Sequence, residues 1–421
     1  MPKKAIILSG FLILITGLTY AFYASTQPIA SYALEPRLDG NQYQKMFLYF
    51  AGETDAYQVS YPFHARILVP WLASTFFPEE VVEAFKSLNF IFTLLAVFSL
   101  SLLWNRLRIP LYLMGGGFCW LLFHWTGLIR LNLFDPITVD VPLYFLQTLF
   151  LIFIYNQQWK HLLWLGPLAT LQKESFPALL LVLLMYAISY NRYRKGNHFP
   201  LVWIGGALLL SFLAKAMVSY FYPPLETGRS ALITMLYHAR EVIHDPFLLV
   251  RWLVATFTAF GGLLFLAGWQ IWQDYVQKLW DKAQSLSSRL LTCMFPDEWY
   301  LPLLLLFSLA YFLLGLLAGG DFTRIIFLGF PMVMTLLLLC VRSYPLWLVL
   351  LAWLFSWPLM RLEGNIPDIG KTPLLFAEWY PEFAPVRIVL LWLGYAAGVA
   401  IVLGLVLILH EKIKHRGTEN N

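Results

Sequence analysis

The chain has 421 residues, 59% hydrophobic and only 13% charged, where a soluble domain is about a quarter charged. Such a composition, with a mean hydropathy of +0.66, excludes a single aqueous core and points to a chain that crosses a bilayer several times. The net charge of +5 sits in short basic clusters beside apolar runs, which argues against nucleic acid as a partner.

The first apolar run follows Lys3 and Lys4 and is about 20 residues long. That is long for a signal-peptide core and right for a spanning helix, so an uncleaved helix is expected over 5–24. Further apolar segments lie at 84–104, 111–129, 138–156, 162–172, 176–190, 201–220, 247–269, 299–318, 323–341, 345–360 and 388–410. The expected fold is an all-α polytopic transmembrane bundle of about twelve membrane segments, forming one integral domain over 1–421. Lys3, Lys4, Arg106, Arg108, Lys160, Arg192, Arg194, Lys195, Lys278, Lys282, Arg289, Arg342, Lys412, Lys414 and Arg416 then fall on one side. The positive-inside rule makes that side, and both termini, cytoplasmic. Long outer loops are expected at 25–83, 221–246 and 361–387, with a cytoplasmic loop at 270–298 and a cytoplasmic tail at 411–421. Cys119, Cys293 and Cys340 fall in no outer loop and have no zinc or redox spacing, so no disulfide is expected.

The first outer loop begins with "LEPRLDGNQYQKMFLYF". Tyr43, Phe47 and Phe50 recur at helical spacing beside Met46, which predicts an amphipathic helix lying at the interface. Asp39 precedes it, either as a plain N-cap or as a general base or metal ligand where the chain leaves the bilayer. Glu53 and Asp55 are an acidic pair that can hold a divalent metal, or simply a solvated loop. "FHARILVPWLASTFF" predicts a second short helix, broken by Pro70, with His64 and Arg66 near its start. Arg66 either snorkels to headgroups or binds a ligand.

The triplet at 115–117, "GGG", lies inside an apolar helix with no following Lys-Ser/Thr, so it marks close packing and not a phosphate loop. Asp135-Pro136 reads as a turn, and Asp140 as one turn into the next helix. Arg130 can pair with either acid, as a tie between helices.

"LWLGPLATLQKESFPALL" at 163–180 sets Lys173 and Glu174 side by side in an apolar run. A charge at bilayer depth costs roughly 2.5–3.5 kcal/mol on insertion scales. Both flanks, Lys160 with His161 and then Arg192, Arg194 and Lys195, are basic. A hairpin over 162–190 with arms of roughly 17 and 22 Å, too short to cross, satisfies both observations. The alternative is one long tilted helix with the pair turned inward, which would export the C-terminal tail against the positive-inside rule. The tip, Lys173–Glu174–Ser175, would be buried or line a water-filled cavity, with Pro177 in the first turn of the second arm.

In 221–246, Leu232, Met235, Leu236, Ala239 and Ile243 form an apolar face, with Arg240, Glu241 and His244 off it. This predicts a surface helix, or in function a lid or an acceptor contact. Near 317–334, two glycines lead to Asp321 and Arg324. Arg324 at the outer end of a span either snorkels or holds a phosphate at the surface, which its bidentate fork suits.

The order of these features resembles the GT-C class of membrane glycosyltransferases. Asp39 in "LDGNQYQ" is similar to the key acid of their first outer loop. Asp140 in "VDVPLYFL" is similar to an Asp in the protein O-mannosyltransferase and lipid A aminoarabinose transferase branches. Those branches also carry a Lys at a break between short helices, usually before Gly; here Lys173 stands there, with Glu174 in place of Gly. "TRIIFLGFP", from Arg324 to Pro331, resembles their late Arg-aromatic pattern. The resemblance covers roughly 5–345 by architecture. The chain departs from the class in having no clear D-x-D and no large soluble domain after the last helix.

The resemblance implies an enzyme of the bacterial plasma membrane with an outward-facing site. It would move a sugar from a polyprenyl-(di)phosphate carrier to an extracytoplasmic acceptor. Asp39 would act as base, and Lys173, Arg324, Arg66 and His64 would serve the phosphate. Glu174, Asp140, Asp135 and Asp321 would be supporting acids. A divalent metal is allowed by the resemblance but not indicated by these residues. A multi-pass transporter or lipid flippase is the alternative from another class, and a non-catalytic relative of the glycosyltransferases the third.

Overall fold

The computed structural model describes residues 3–35, 38–78, 80–195, 198–226, 231–276, 299–319 and 321–419. Backbone among apolar side chains must satisfy its own hydrogen bonds, and the described residues form helices and no strand. In chain order these are α1 (Lys3–Thr26), α2 (Gly40–Phe50), α3 (Leu68–Phe76), α4 (Val81–Arg106), α5 (Leu111–Phe123), α6 (Arg130–Phe134) and α7 (Val141–Tyr155). Next come α8 (Leu162–Gln172), α9 (Phe176–Tyr193), α10 (Leu201–Phe221), α11 (Ala231–His244), α12 (Phe247–Phe260) and α13 (Leu263–Ile271). The last are α14 (Tyr300–Leu317), α15 (Phe322–Leu328), α16 (Phe330–Val341), α17 (Leu346–Ser356), α18 (Pro373–Trp379) and α19 (Val386–Glu419).

By length and composition six helices can cross a bilayer, or up to eight if two bent pairs each count as one span, against the twelve segments expected. Helices begin at each expected segment, but several are short. The chain leaves α5 at His124, after 13 residues, where the His124 ring accepts from the Thr126 N–H and hydroxyl at 3.2 and 2.8 Å. The 247–269 segment divides at Gly261, whose φ of +63° suits glycine and where a Cβ would collide with Ser356. α15 and α16 meet at 69°, and Ile233–His244 meets α12 at 110°. These long apolar helices are compatible with an integral multi-pass membrane protein. Most of the 270–298 loop, residues 277–298 with Lys278, Lys282, Arg289 and Cys293, lies outside the described residues, as do the side chains of Lys3, Lys4, Leu232, Lys414 and Arg416.

Residues 162–193 form a hairpin. Trp159 before α8 and Tyr190 at the end of α9 both lie against Phe199, at 5.3 and 5.2 Å between rings. The first arm has 11 residues, about 17 Å, as expected. The second has 18, about 27 Å, because the helix runs on through Asn191 to Tyr193, so it is not too short to cross.

At the opposite end the three long loops join. Ser31 Oγ donates to Asp368 at 2.5 Å, Gln27 Nε2 to the Ile366 carbonyl at 3.3 Å, and Leu225 N–H to the Val59 carbonyl at 2.9 Å. Two of the three glycines at 115–117 pack closely: a Cβ at Gly116 would lie 2.7 Å from Trp353, and one at Gly117 2.8 Å from Trp104, whereas one at Gly115 would meet nothing within 4 Å. Pro70 lies in the first turn of α3, where its missing N–H costs nothing, so it does not break the helix.

Candidate functional site

Four separate segments bring charged side chains to the end of the bundle where the long loops meet. α2 follows Asp39, α7 follows Asp140, the tip between α8 and α9 carries Lys173 and Glu174, and α15 carries Arg324. Gln172 Nε2 donates to the Val139 carbonyl, which fixes the tip beside the start of α7.

Asp140 is the hub. Its side chain is 4% exposed; Lys173 Nζ donates to Oδ1 and Arg324 Nε to Oδ2, each at 2.6 Å. Burial works against its charge, but Arg324 and Lys173 outweigh burial and hold the carboxyl well below the usual range. It stands just before α7, not one turn inside it, so its carboxylate faces the tip and α15.

The two adjacent charges of the tip do not pair. Glu174 takes the Arg66 guanidinium in a two-point grip, through Nε at 2.7 Å and through Nη2. Arg66 Nη1 donates to the buried Tyr43 hydroxyl at 2.7 Å. Arg66 is therefore held and does not snorkel. Burial opposes the charge on Glu174, and Arg66 prevails, holding its carboxyl at about 2. His64 lies one residue before Ala65 in a single 3-10 turn; its Nε2 shares a hydrogen bond with Ser219 Oγ at 3.0 Å, which ties it to α10.

Arg324 spends only part of its fork on Asp140. Its Nη2 lies 3.7 Å from Asp39 Oδ2 and its Nη1 3.7 Å from Asp321 Oδ2, beyond hydrogen-bond reach. Asp39 and Asp321 are 32% and 30% exposed. The Asp39 side chain makes no cap hydrogen bond to α2, so the plain N-cap role is not the one it has. Asp321 does cap α15, accepting from the Arg324 N–H at 3.2 Å.

Asp135 does not pair with Arg130. It accepts from the Tyr32 hydroxyl at 2.6 Å, and burial, opposed by Arg324, raises its carboxyl to about 6. Arg130 instead donates to the carbonyls of Phe123, Met360, Arg361 and Gly364, so it ties α6 to the 361–387 loop. Glu53 and Asp55 are exposed and apart from the cluster, and among the described residues no group of three His, Cys, Asp or Glu side chains can hold a metal ion. His238 and Glu241 pair with each other at 2.8 Å on α11, outside the site, and Arg240 donates to His244 at 3.3 Å.

The sequence does not mark Tyr32 and Glu382 as site residues, and it marks Tyr43 only as part of an apolar helix face. Glu382 is buried, accepts from the Thr323 N–H and hydroxyl at 3.1 and 2.9 Å, and so braces the first turn of α15. Burial and the neighbouring Asp321 raise its carboxyl. A buried Glu in the apolar-aromatic stretch "EWYPEFAP" was the available signal. Compared with known proteins, the chain matches no family model, no curated protein and no solved structure.

Proposed function

We propose that the protein is a membrane glycosyltransferase that moves a sugar from a polyprenyl-phosphate or diphosphate carrier to an extracytoplasmic acceptor. The observation that carries this reading is the fork of Arg324, with two terminal nitrogens 3.7 Å from two partly exposed carboxylates and hydrogen-bonded to neither. A phosphate oxygen fits those donors, because Asp140 already fixes the guanidinium through Nε. In the reaction, the acceptor hydroxyl attacks the anomeric carbon and gives its proton to Asp39. The anomeric carbon–oxygen bond breaks, and its electron pair leaves with the phosphate onto Arg324.

Lys173 contributes its remaining N–H donors to the phosphate, and Asp140 orients both cations. Arg66 and Glu174 neutralise each other and hold the tip against Tyr43, so Arg66 is a positioning residue in this scheme. The cluster's place at one end of the bundle, roofed by the long loops, favours an enzyme over a transporter, whose site lies near mid-depth.

The test is binding of farnesyl phosphate to the purified chain in lipid nanodiscs, followed by native mass spectrometry. One molecule should bind, and Arg324→Gln should weaken it at least tenfold. Equal binding by the variant, or none by the wild type, removes the reading.

A further inference from the structure

A pocket of about 490 Å³ opens beside α2, lined by Tyr32, Asn41, Gln44, Phe47, Glu53 and Glu80 among others. Among the described residues, none of Asp39, Asp140, Lys173 or Arg324 lines it, and neither does any Lys or Arg. Its volume lies within the range of small-molecule sites. Amide and carboxylate groups beside two aromatic rings suit hydroxyl groups and the apolar face of a sugar ring.

The pocket is joined to the charged cluster by two elements. α2 buries Tyr43, Met46 and Phe47, and presents Asn41, Gln44 and Leu48 to the pocket at i, i+3 and i+7. Asn41 is two residues from Asp39, a rise of about 3 Å, and Gln44 five residues, about 7.5 Å. Tyr32 forms the other link, lining the pocket while its hydroxyl donates to Asp135 and accepts from the Ile137 N–H at 3.1 Å. The side chains of Gln44 and Glu53 have no hydrogen-bond partner among the described residues, whereas Asn41 donates to the Glu35 carbonyl and Glu80 caps α4.

We infer that this pocket binds a neutral, polyhydroxylated ligand, and that it is the acceptor subsite of the transfer. The polyol chemistry follows from the lining alone; the acceptor role rests on the glycosyltransferase reading. A sugar seated on Asn41 and Gln44 would direct one hydroxyl along α2 towards Asp39, while Gln44 and Glu53 supply the free amide and carboxylate that select it.

The test is saturation-transfer difference NMR on the full chain in nanodiscs. The probes are free D-glucose, D-mannose, D-galactose and N-acetyl-D-glucosamine, with choline as a cationic probe. At least one sugar should give a signal that falls fivefold or more in both Gln44→Ala and Glu53→Ala, with thermal unfolding unchanged because neither side chain holds the fold. The inference is overturned if no sugar gives a signal, if the signal survives both substitutions, or if only choline responds. Farnesyl phosphate binding in the same preparation reads the proposed function separately. Sugar without farnesyl phosphate keeps the pocket and removes the transferase; the reverse removes the pocket alone.

Discussion

Lys173 Nζ lies 2.6 Å from Asp140 Oδ1, whereas Glu174, the next residue in the chain, turns away to grip Arg66. The tip of the hairpin thus splits its two charges between two partners on different segments, one 33 residues before it and one 108 residues before it. Each pairing removes the need for the other, which explains why an apolar run tolerates both.

The split predicts unequal costs. Asp140→Ala leaves Lys173 and Arg324 facing each other without a shared anion, a loss of roughly 3–5 kcal/mol for a broken buried pair. The double variant Asp140→Ala with Lys173→Met should recover part of that loss. Thermal unfolding in nanodiscs, followed by tryptophan fluorescence, checks this; additive losses would mean that the pair is not coupled.

Arg66 and Glu174 make a two-point contact that an ammonium cannot copy. Arg66→Lys should therefore lose both the second Glu174 bond and the Tyr43 bond, and destabilise the protein by roughly 1–3 kcal/mol. A variant as stable as the parent would show that the grip is dispensable.

The positions of the helices were legible because apolar runs between basic clusters have few other outcomes. The hairpin was legible for a related reason: basic flanks on both sides of an apolar run of about 30 residues favour, under the positive-inside rule, a return over a single crossing. Less was legible where partners are distant. Asp140 offered Arg130, ten residues away, as the simpler partner, but Arg130 is consumed by four carbonyls of loops near 123 and 360–364. Tyr32 sits in a loop without periodicity, where no pattern marks a side chain as buried, and Glu382 is marked only by its apolar-aromatic neighbours. Helix ends were blurred by residues such as His124 and Gly329, which stop or bend a helix through local hydrogen bonds and packing and leave the apolar run unbroken.

Asp135 gives a pH signature. Burial raises its carboxyl from an ordinary value near 4 to about 6, so the folded state binds a proton that the unfolded state has lost between those values. Its contribution to stability therefore falls as pH rises from about 4 to 6. Glu174, held at about 2, contributes in the opposite sense and only at more acid pH. Asp135→Asn keeps an acceptor for Tyr32 and should flatten the melting temperature between pH 4 and 6, with a gain at pH 7 of roughly 1–3 kcal/mol. An unchanged pH profile would place the carboxyl in water.

Asp39 separates chemistry from stability. It caps nothing, is a third exposed, and touches Arg324 only at 3.7 Å, so Asp39→Asn should move the melting temperature by no more than a degree or two. Removing its charge should leave Arg324 the stronger anion site, and farnesyl phosphate should bind the variant several-fold more tightly. Transfer from a radiolabelled polyprenyl-phosphate hexose should meanwhile fall by 100-fold or more, the usual scale for losing a general base. Tighter phosphate binding with lost transfer is the combination that assigns Asp39 to the acceptor proton; weaker binding with lost transfer would make it a structural support of Arg324 instead.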